Sequence, residues 1–145
     1  MGESMERLYN AAASMGVSVV ERYLPGQQRG RYIHVKRRII LNARLQGRQK
    51  AHTLGHELGH AHHGHEHDDC PGSVIGIRQE RKADEFAAQL LINTYDYEVT
   101  ERMYGPHVPT LAIQLGVTAP MIYAWQSMQR RHLQERSQQW PGRRF

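Results

Sequence analysis

The sequence predicts an α+β fold, in which a small antiparallel three-stranded sheet packs on a helical body. Short apolar runs separated by turn residues occupy residues 17–41, a pattern typical of strands. From about Gly47 onward, apolar residues recur at helical spacing. No repeat or low-complexity linker separates the two parts, so we expect residues 1–145 to form one domain.

The first half of the chain contains one predicted helix and three predicted strands. A helix over residues 4–15 would begin at Ser4, whose hydroxyl can cap it, and end at Gly16. Its apolar stripe comprises Leu8, Ala11, Ala12 and Met15. The strands are expected at residues 17–23, 31–35 and 38–41.

The second half is predicted to be helical. One helix should span residues 48–62, and a second should span residues 78–92 and direct Ala83, Phe86 and Leu90 inward. Two or three shorter helices should follow, with breaks at Gly105-Pro106, Pro109 and Gly116. Residues 129–145 are polar and rich in arginine, and we expect this tail to fray.

Composition limits the class of protein. The formal charge is +5 and the basic residues are mostly arginine, which favours an acidic or nucleic-acid partner, although a solvated basic surface explains it equally well. No run approaches the ~20 apolar residues of a membrane span, and the N-terminus lacks the apolar region of a secretory signal. Cys70 is the only cysteine, which excludes an internal disulfide. We therefore expect the protein in the cytoplasm.

The histidines are concentrated in one predicted helix and the loop after it. Seven of the ten histidines lie between His52 and His67. A helix brings residues four apart onto one face, so His56 and His60 can both reach one zinc ion at ~2.0–2.1 Å. Glu57 would lie beside the ion, where its carboxylate could accept a proton from a water that zinc activates. This HExxH pattern is typical of zinc peptidases.

Three candidates compete for the third protein ligand that a catalytic zinc site needs. His52 lies ~12 Å from His60 along the helix axis, too far for one ion, so a supporting or surface role suits it better. His67 would complete the metzincin pattern, but it comes one residue too late for that spacing. Glu80 and Asp84 share one face of the next predicted helix. Glu80 can therefore complete a His2Glu site, while Asp84 accepts the second N–H of a ligand histidine.

These segments resemble a known family. The HELGH segment at residues 56–60, followed by ERKADEFAAQLL at residues 80–91, resembles the ImmA/IrrE metallopeptidases, which pair HExxH with a helix of this pattern. The resemblance extends upstream to IILN at residues 39–42 and downstream to LAIQLGVT at residues 111–118. It covers most of the chain and is strongest to the compact, single-domain members found in phages and mobile elements.

The resemblance implies a zincin fold with a gluzincin-like site and a class of substrate. The zinc ligands would be His56, His60 and Glu80, and Glu57 would be the general base. Characterised members of the family cleave helix-turn-helix repressors, so a DNA-binding repressor is the expected protein substrate. One departure is the histidine-rich run after His60, where many members have a hydrophobic segment.

Two questions about the site stay open in the sequence. A donor for the oxyanion of the tetrahedral intermediate could come from Tyr95, Tyr97, Tyr104 or His107, and the pattern selects none of them. A second metal could bind the histidines that follow the helix, although a solvated loop explains them better. These histidines are His62, His63, His65 and His67.

The main alternative is a non-catalytic regulator that binds DNA or a repressor through the basic C-terminal helices. Ala112, Gly116 and Ile122 have the spacing of a helix-turn-helix, and arginines follow at 130, 131 and 136. The same spacing also packs two short helices, so it does not establish DNA binding.

Overall fold

The computed structural model describes residues 2–65 and 72–139 of the chain. Within these ranges the fold is α+β, as the sequence predicts, with six helices and three strands. The elements in chain order are α1 (Gly2–Ser14), β1 (Ser18–Arg22), β2 (Gly30–Ile33), β3 (Arg38–Asn42), α2 (Gly47–His62), α3 (Val74–Leu91), α4 (Thr94–Tyr104), α5 (Val108–Leu115) and α6 (Ala119–Gln139).

The sheet is mixed, and the prediction of an antiparallel sheet is wrong at one of its two pairings. The strand order is β1-β3-β2, with β3 antiparallel to β2 but parallel to β1. The central strand, β3, is the most apolar of the three and buries Ile39 and Leu41. Its two edges are both paired, one with β1 and the other with β2. Residues 23–29 connect β1 to β2, which lies on the far side of β3. Strand-like patterns reveal only that strands exist, because both topologies bury the same residues.

The helix boundaries differ from the prediction most clearly in four places. α3 begins at Val74, four residues before its predicted start at residue 78. α1 begins at Gly2, so Ser4 lies inside the helix and does not cap it. Pro109 lies in the first turn of α5, where a missing N–H is tolerated, and does not break a helix. α6 continues to Gln139, past residue 129 where the sequence predicts a frayed tail, because Gln, Arg and Glu favour helix even in water. Residues 140–145 lie outside the described ranges.

Two clusters of buried apolar side chains form the core. The first lies between α1, the sheet and α2 and contains Leu8, Ile39, Leu41, Leu54 and Leu58. The second joins the end of α3 to the last three helices through Leu111, Met121, Ile122 and Trp125. Because α2 belongs to the first cluster and α3 reaches the second, the contact between these two helices links the two halves of the molecule.

Small residues allow α2 and α3 to approach closely. Gly55 and Gly59, four residues apart on α2, face Ala87 and Ala83 on α3. A methyl group added at Gly59 would lie 2.6 Å from the Cα and carbonyl oxygen of Ala83. Since both glycines and both alanines repeat every four residues, each pair forms a stripe along its helix. The polar residues beside these stripes are therefore brought face to face.

No single helix within residues 2–65 and 72–139 is long and apolar enough to cross a membrane. α5 and α6 combine sufficient length and apolar composition only as a pair, and this pair is bent by 105°.

Candidate metal centre

The facing sides of α2 and α3 bring the predicted site residues together. His56 and His60 lie one turn apart on α2, and Glu80 and Asp84 lie one turn apart on α3. Nε2 of His56 is 2.9 Å from Oε2 of Glu80, and Nε2 of His60 is 3.2 Å from Oε1 of the same carboxylate. The two Nε2 atoms lie 3.1 Å apart.

This arrangement fits a divalent metal ion. The ligand atoms of His56, His60 and Glu80 all lie within 4.8 Å of one another. In a tetrahedral site with bonds of ~2.0–2.1 Å, neighbouring ligand atoms lie about 3.4 Å apart, close to the three separations observed here. The side chain of Glu80 is 63% exposed, so the cluster is open to solvent on that side. An open side is what a catalytic metal site requires for water and substrate.

Asp84 determines which nitrogen of His56 faces the cluster. Its Oδ1 atom accepts a hydrogen bond of 2.7 Å from Nδ1 of His56, so the proton belongs on Nδ1 and the Nε2 lone pair points toward Glu80. Burial raises the pKa of Asp84, but hydrogen bonds from His52 and His56 outweigh it and lower that pKa to about 2. Asp84 is therefore ionised and can act only as an acceptor.

Without metal, the site binds a proton tightly. Burial lowers the pKa of His56, but hydrogen bonds to Asp84 and Glu80 outweigh it and raise that pKa to about 10. Hydrogen bonds from His56 and His60 hold the pKa of Glu80 far below its usual value. A metal ion that binds these residues must therefore displace a proton from His56.

His52 has the supporting role that its distance from His60 suggests. Nε2 of His52 donates to Oδ1 of Asp84 at 3.2 Å, and Nδ1 accepts from the hydroxyl of Thr118 at 2.8 Å. His52, His56 and Asp84 also form a compact group, within 4.8 Å. Hydrogen bonds already occupy the facing nitrogens of both histidines in that group, so the His56–His60–Glu80 group is the better metal site.

His65 contacts the site, a role that the sequence does not predict for it: there it is named only among the histidines that could bind a second metal. α2 ends in a Schellman motif, in which Gly64 adopts a positive φ of 65°. The backbone N–H of Gly64 donates to the carbonyl of Ala61, and the backbone N–H of His65 donates to the carbonyl of His60. This motif brings together the side chains of its third-last helical residue and the residue after the glycine. Nδ1 of His65 consequently lies 3.0 Å from Nδ1 of His60. Gly64 placed four residues after His60 is the sequence signal for this contact.

The tautomers of this pair follow from the role of His60. If Nε2 of His60 is to face a metal, its proton must be on Nδ1 and is donated to Nδ1 of His65. Burial and the neighbouring His60 lower the pKa of His65 to about 4, so His65 is neutral and its Nδ1 can accept that hydrogen bond. His65 thus has toward His60 the position that Asp84 has toward His56.

Glu57 lies on the buried side of the same helix. It is 8% exposed, and burial raises the pKa of its carboxyl group above the usual value. A hydrogen bond from the backbone of Tyr32 on β2 opposes that shift. The carboxyl group interacts electrostatically with His56 and His60, which lower its pKa. It therefore lies beside the metal cluster without being one of its ligands.

Of the other predicted site residues, the tyrosines have ordinary structural roles. Tyr97 is buried beside Trp125, and its hydroxyl accepts a hydrogen bond from Gln126. Tyr95 and Tyr104 are exposed on α4, which packs on α5, and His107 contacts Thr110. Within residues 2–65 and 72–139, no hydrogen bond, ion pair or ring contact joins any of these four residues to the metal cluster. His67 and Cys70 lie outside the described ranges, so the histidines that could bind a second metal, a possibility that the sequence leaves open, are described only as far as His65.

A family model described as Peptidase_M78, IrrE N-terminal-like domain, matches residues 12–124, which include the sheet and all residues of the cluster. A search of curated proteins found no match.

Proposed function

The chain belongs to the Peptidase_M78 (IrrE N-terminal-like) family of metallopeptidases, and from this membership and the cluster geometry we propose that it is a zinc-dependent endopeptidase. The observation that carries the proposal is the convergence of three ligand atoms from His56, His60 and Glu80, with a side open to solvent. Two nitrogens and a carboxylate are the ligand set of many catalytic zinc sites. We therefore assign these three residues as the zinc ligands.

The chemistry follows from the ligands and from Glu57. Zinc would polarise the scissile carbonyl and lower the pKa of water into the neutral range. Glu57 takes a proton from the attacking water and passes it to the leaving amine. Burial raises the pKa of this carboxyl group, so it accepts a proton more readily than an exposed glutamate does. Asp84 and His65 keep the two ligand imidazoles in the tautomer that exposes Nε2.

The proposed substrate is a DNA-binding regulatory protein, with a helix-turn-helix repressor as the leading candidate. The support for it is the resemblance to the ImmA/IrrE metallopeptidases, whose characterised members cleave such repressors. Cleavage of a repressor would release the genes that it controls.

The test combines metal analysis with cleavage. The purified protein should contain about one zinc ion per chain, and His56→Ala or Glu80→Ala should remove it. Glu85→Ala, five residues along α3 from Glu80, should not remove it. Incubation with a panel of helix-turn-helix repressors from the same genome should give discrete fragments of one of them, which disappear with a chelator and return with zinc. A zinc-loaded protein that leaves every repressor of the panel intact would contradict the proposed substrate. Absence of bound zinc would contradict the proposed enzyme.

A second candidate is a non-catalytic regulator that binds DNA or a repressor through its C-terminal helices. The observation in its favour is the bend of 105° between α5 and α6 at Gly116, within the range of helix-turn-helix motifs. Against it, α6 buries Met121, Ile122, Trp125 and Met128, and Arg131 forms an ion pair with Glu85 on α3. Binding to the repressor or its operator that persists without zinc and without cleavage would favour this candidate.

A further inference from the structure

The excess of positive over negative charge is confined to one segment of the chain. Nine of the 19 Lys and Arg residues lie in residues 22–56. This stretch contains neither Asp nor Glu. The other ten basic residues share the rest of the chain with all 14 acidic residues. The net charge of +5 therefore comes from the sheet and the start of α2, and the remainder is acidic.

Four of these arginines lie on one face of the sheet. Ile39 and Leu41 of β3 point into the core, so their neighbours along the strand point outward. The register pairs Arg38 with Ser18, Ile40 with Arg31, and Asn42 with Arg22. The outward positions therefore include Arg22, Arg31 and Arg38.

Arg29 continues the same row. Its carbonyl accepts a hydrogen bond from the backbone N–H of Asn42, which extends the β2–β3 ladder by one residue. Arg29 and Arg22 thus flank Asn42 from opposite sides. We call the four outward arginines, Arg22, Arg29, Arg31 and Arg38, the basic sheet face.

The charges of the basic sheet face are exposed and uncompensated. All four side chains are exposed, and none forms an ion pair within residues 2–65 and 72–139. Arg22 donates to the backbone carbonyl of Glu21 and Arg38 to the hydroxyl of Ser18, which leaves the positive charge of each unneutralised. Lys36, Arg37 and Arg44, which lie close to the same strands in sequence, are also exposed.

We propose that the basic sheet face binds double-stranded DNA through its phosphates. Strand geometry separates the Cα atoms of the four arginines by roughly 7–14 Å. The grooves of B-DNA are about 6 and 12 Å wide, so long arginine side chains at these spacings reach phosphates on both sides of a groove. The guanidinium group suits such contacts because it can donate two hydrogen bonds to one phosphate.

The composition of the face favours a nucleic acid over an acidic protein. Interfaces with DNA are far more positively charged than interfaces with proteins, whose centres are aromatic or apolar and poor in charge. The apolar residues between the arginines are Val20, Ile33 and Ile40, and all three are half-buried. The exposed apolar residues nearby, Tyr23 and Val35, lie beyond the ends of the strands. The recognition would be independent of base sequence, because these positions offer contacts to phosphates only.

The test measures binding of the full-length protein to a fluorescent duplex of arbitrary sequence by anisotropy at several salt concentrations. Four phosphate contacts predict a slope of about −3.6 in log K against log salt, or on the order of 100-fold weaker binding at about 200 mM than at about 50 mM salt. The variant Arg22→Gln/Arg31→Gln/Arg38→Gln should bind more than about tenfold less tightly, and its slope should be smaller by about 3. Glu57→Gln should bind as the wild type does, because this test does not depend on peptidase activity.

The matched control is Arg102→Gln/Arg130→Gln/Arg136→Gln, which removes the same formal charge from exposed positions of α4 and α6. It should keep most of the affinity, and circular dichroism should show that both triple variants are folded. The proposal is overturned if the duplex does not bind at low salt or if the two triple variants lose equal affinity. It is also overturned if polyglutamate binds more tightly than the duplex, since the partner would then be an acidic protein.

Discussion

Oδ1 of Asp84 lies 2.7 Å from Nδ1 of His56, so a carboxylate on α3 fixes the ring orientation of a histidine on α2. Asp84→Asn keeps the shape of the side chain but can present an amide N–H to His56 and stabilise the wrong tautomer. We expect zinc affinity to fall by about 10–100-fold. Competition with a chromophoric chelator measures this, and Asp96→Asn on α4 is the control. Unchanged affinity in Asp84→Asn would show that Asp84 does not orient the ligand.

His65 should support His60 in the same way. His65→Ala removes the acceptor for Nδ1–H of His60, and we expect zinc affinity to fall by about 10–100-fold. His65→Asn restores an acceptor at nearly the same place and should recover most of the loss. The control is His62→Ala, because His62 stacks on Phe86 and not on a ligand. Equal affinities for His65→Ala and His62→Ala would exclude the supporting role.

The metal-free protein should lose stability as pH rises above neutrality. The pKa of His56 is about 10 in the folded protein against 6.5 in the unfolded chain. A pKa raised by folding stabilises the protein fully below about pH 6.5, and this contribution disappears as pH rises toward 10. Urea unfolding with a chelator present should therefore give a lower free energy of unfolding at the alkaline end of this range.

Two comparisons isolate His56 as the cause of that pH dependence. Asp84→Asn weakens the hydrogen bond that raises the pKa of His56, so this variant should lose less stability as pH rises. Bound zinc requires a neutral His56, so the stability of the zinc-loaded protein should not fall over this pH range. A metal-free protein whose stability is constant or increases over this range contradicts the proton-binding site.

The close approach of α2 and α3 should not tolerate a side chain at Gly59. In Gly59→Ala the new methyl group would meet the backbone of Ala83 at 2.6 Å, so the two helices must move apart. We expect a destabilisation of about 1–3 kcal/mol and weaker zinc binding, because Glu80 moves away from both histidines. Thermal and urea unfolding measure the first effect. Gly2→Ala, with nothing within 4 Å of the new methyl group, is the control and should be neutral.

The sequence predicts the cluster better than the sheet around it. Helical periodicity alone brings His56 toward His60 and Glu80 toward Asp84, because each pair is four residues apart. The approach of the two helices is also encoded locally, in the facing stripes of Gly55 and Gly59 and of Ala83 and Ala87.

What the sequence does not reveal depends on contacts between distant segments. The parallel pairing of β1 with β3 depends on which edge of β3 each strand takes, and an apolar pattern is the same for both choices. The link from Thr118 to His52 joins residues that are 66 positions apart. His65 is different, since a Schellman motif at Gly64 is local and predictable from the helix end.

The most direct test of the central claim is Glu57→Gln. This change keeps the size of the side chain and leaves the three assigned ligands intact, but it removes the group that accepts the proton of the attacking water. We predict about one zinc ion per chain by metal analysis, as in the wild type, and no cleavage of a repressor that the wild type cuts. Cleavage by zinc-loaded Glu57→Gln at the wild-type rate would contradict the mechanism.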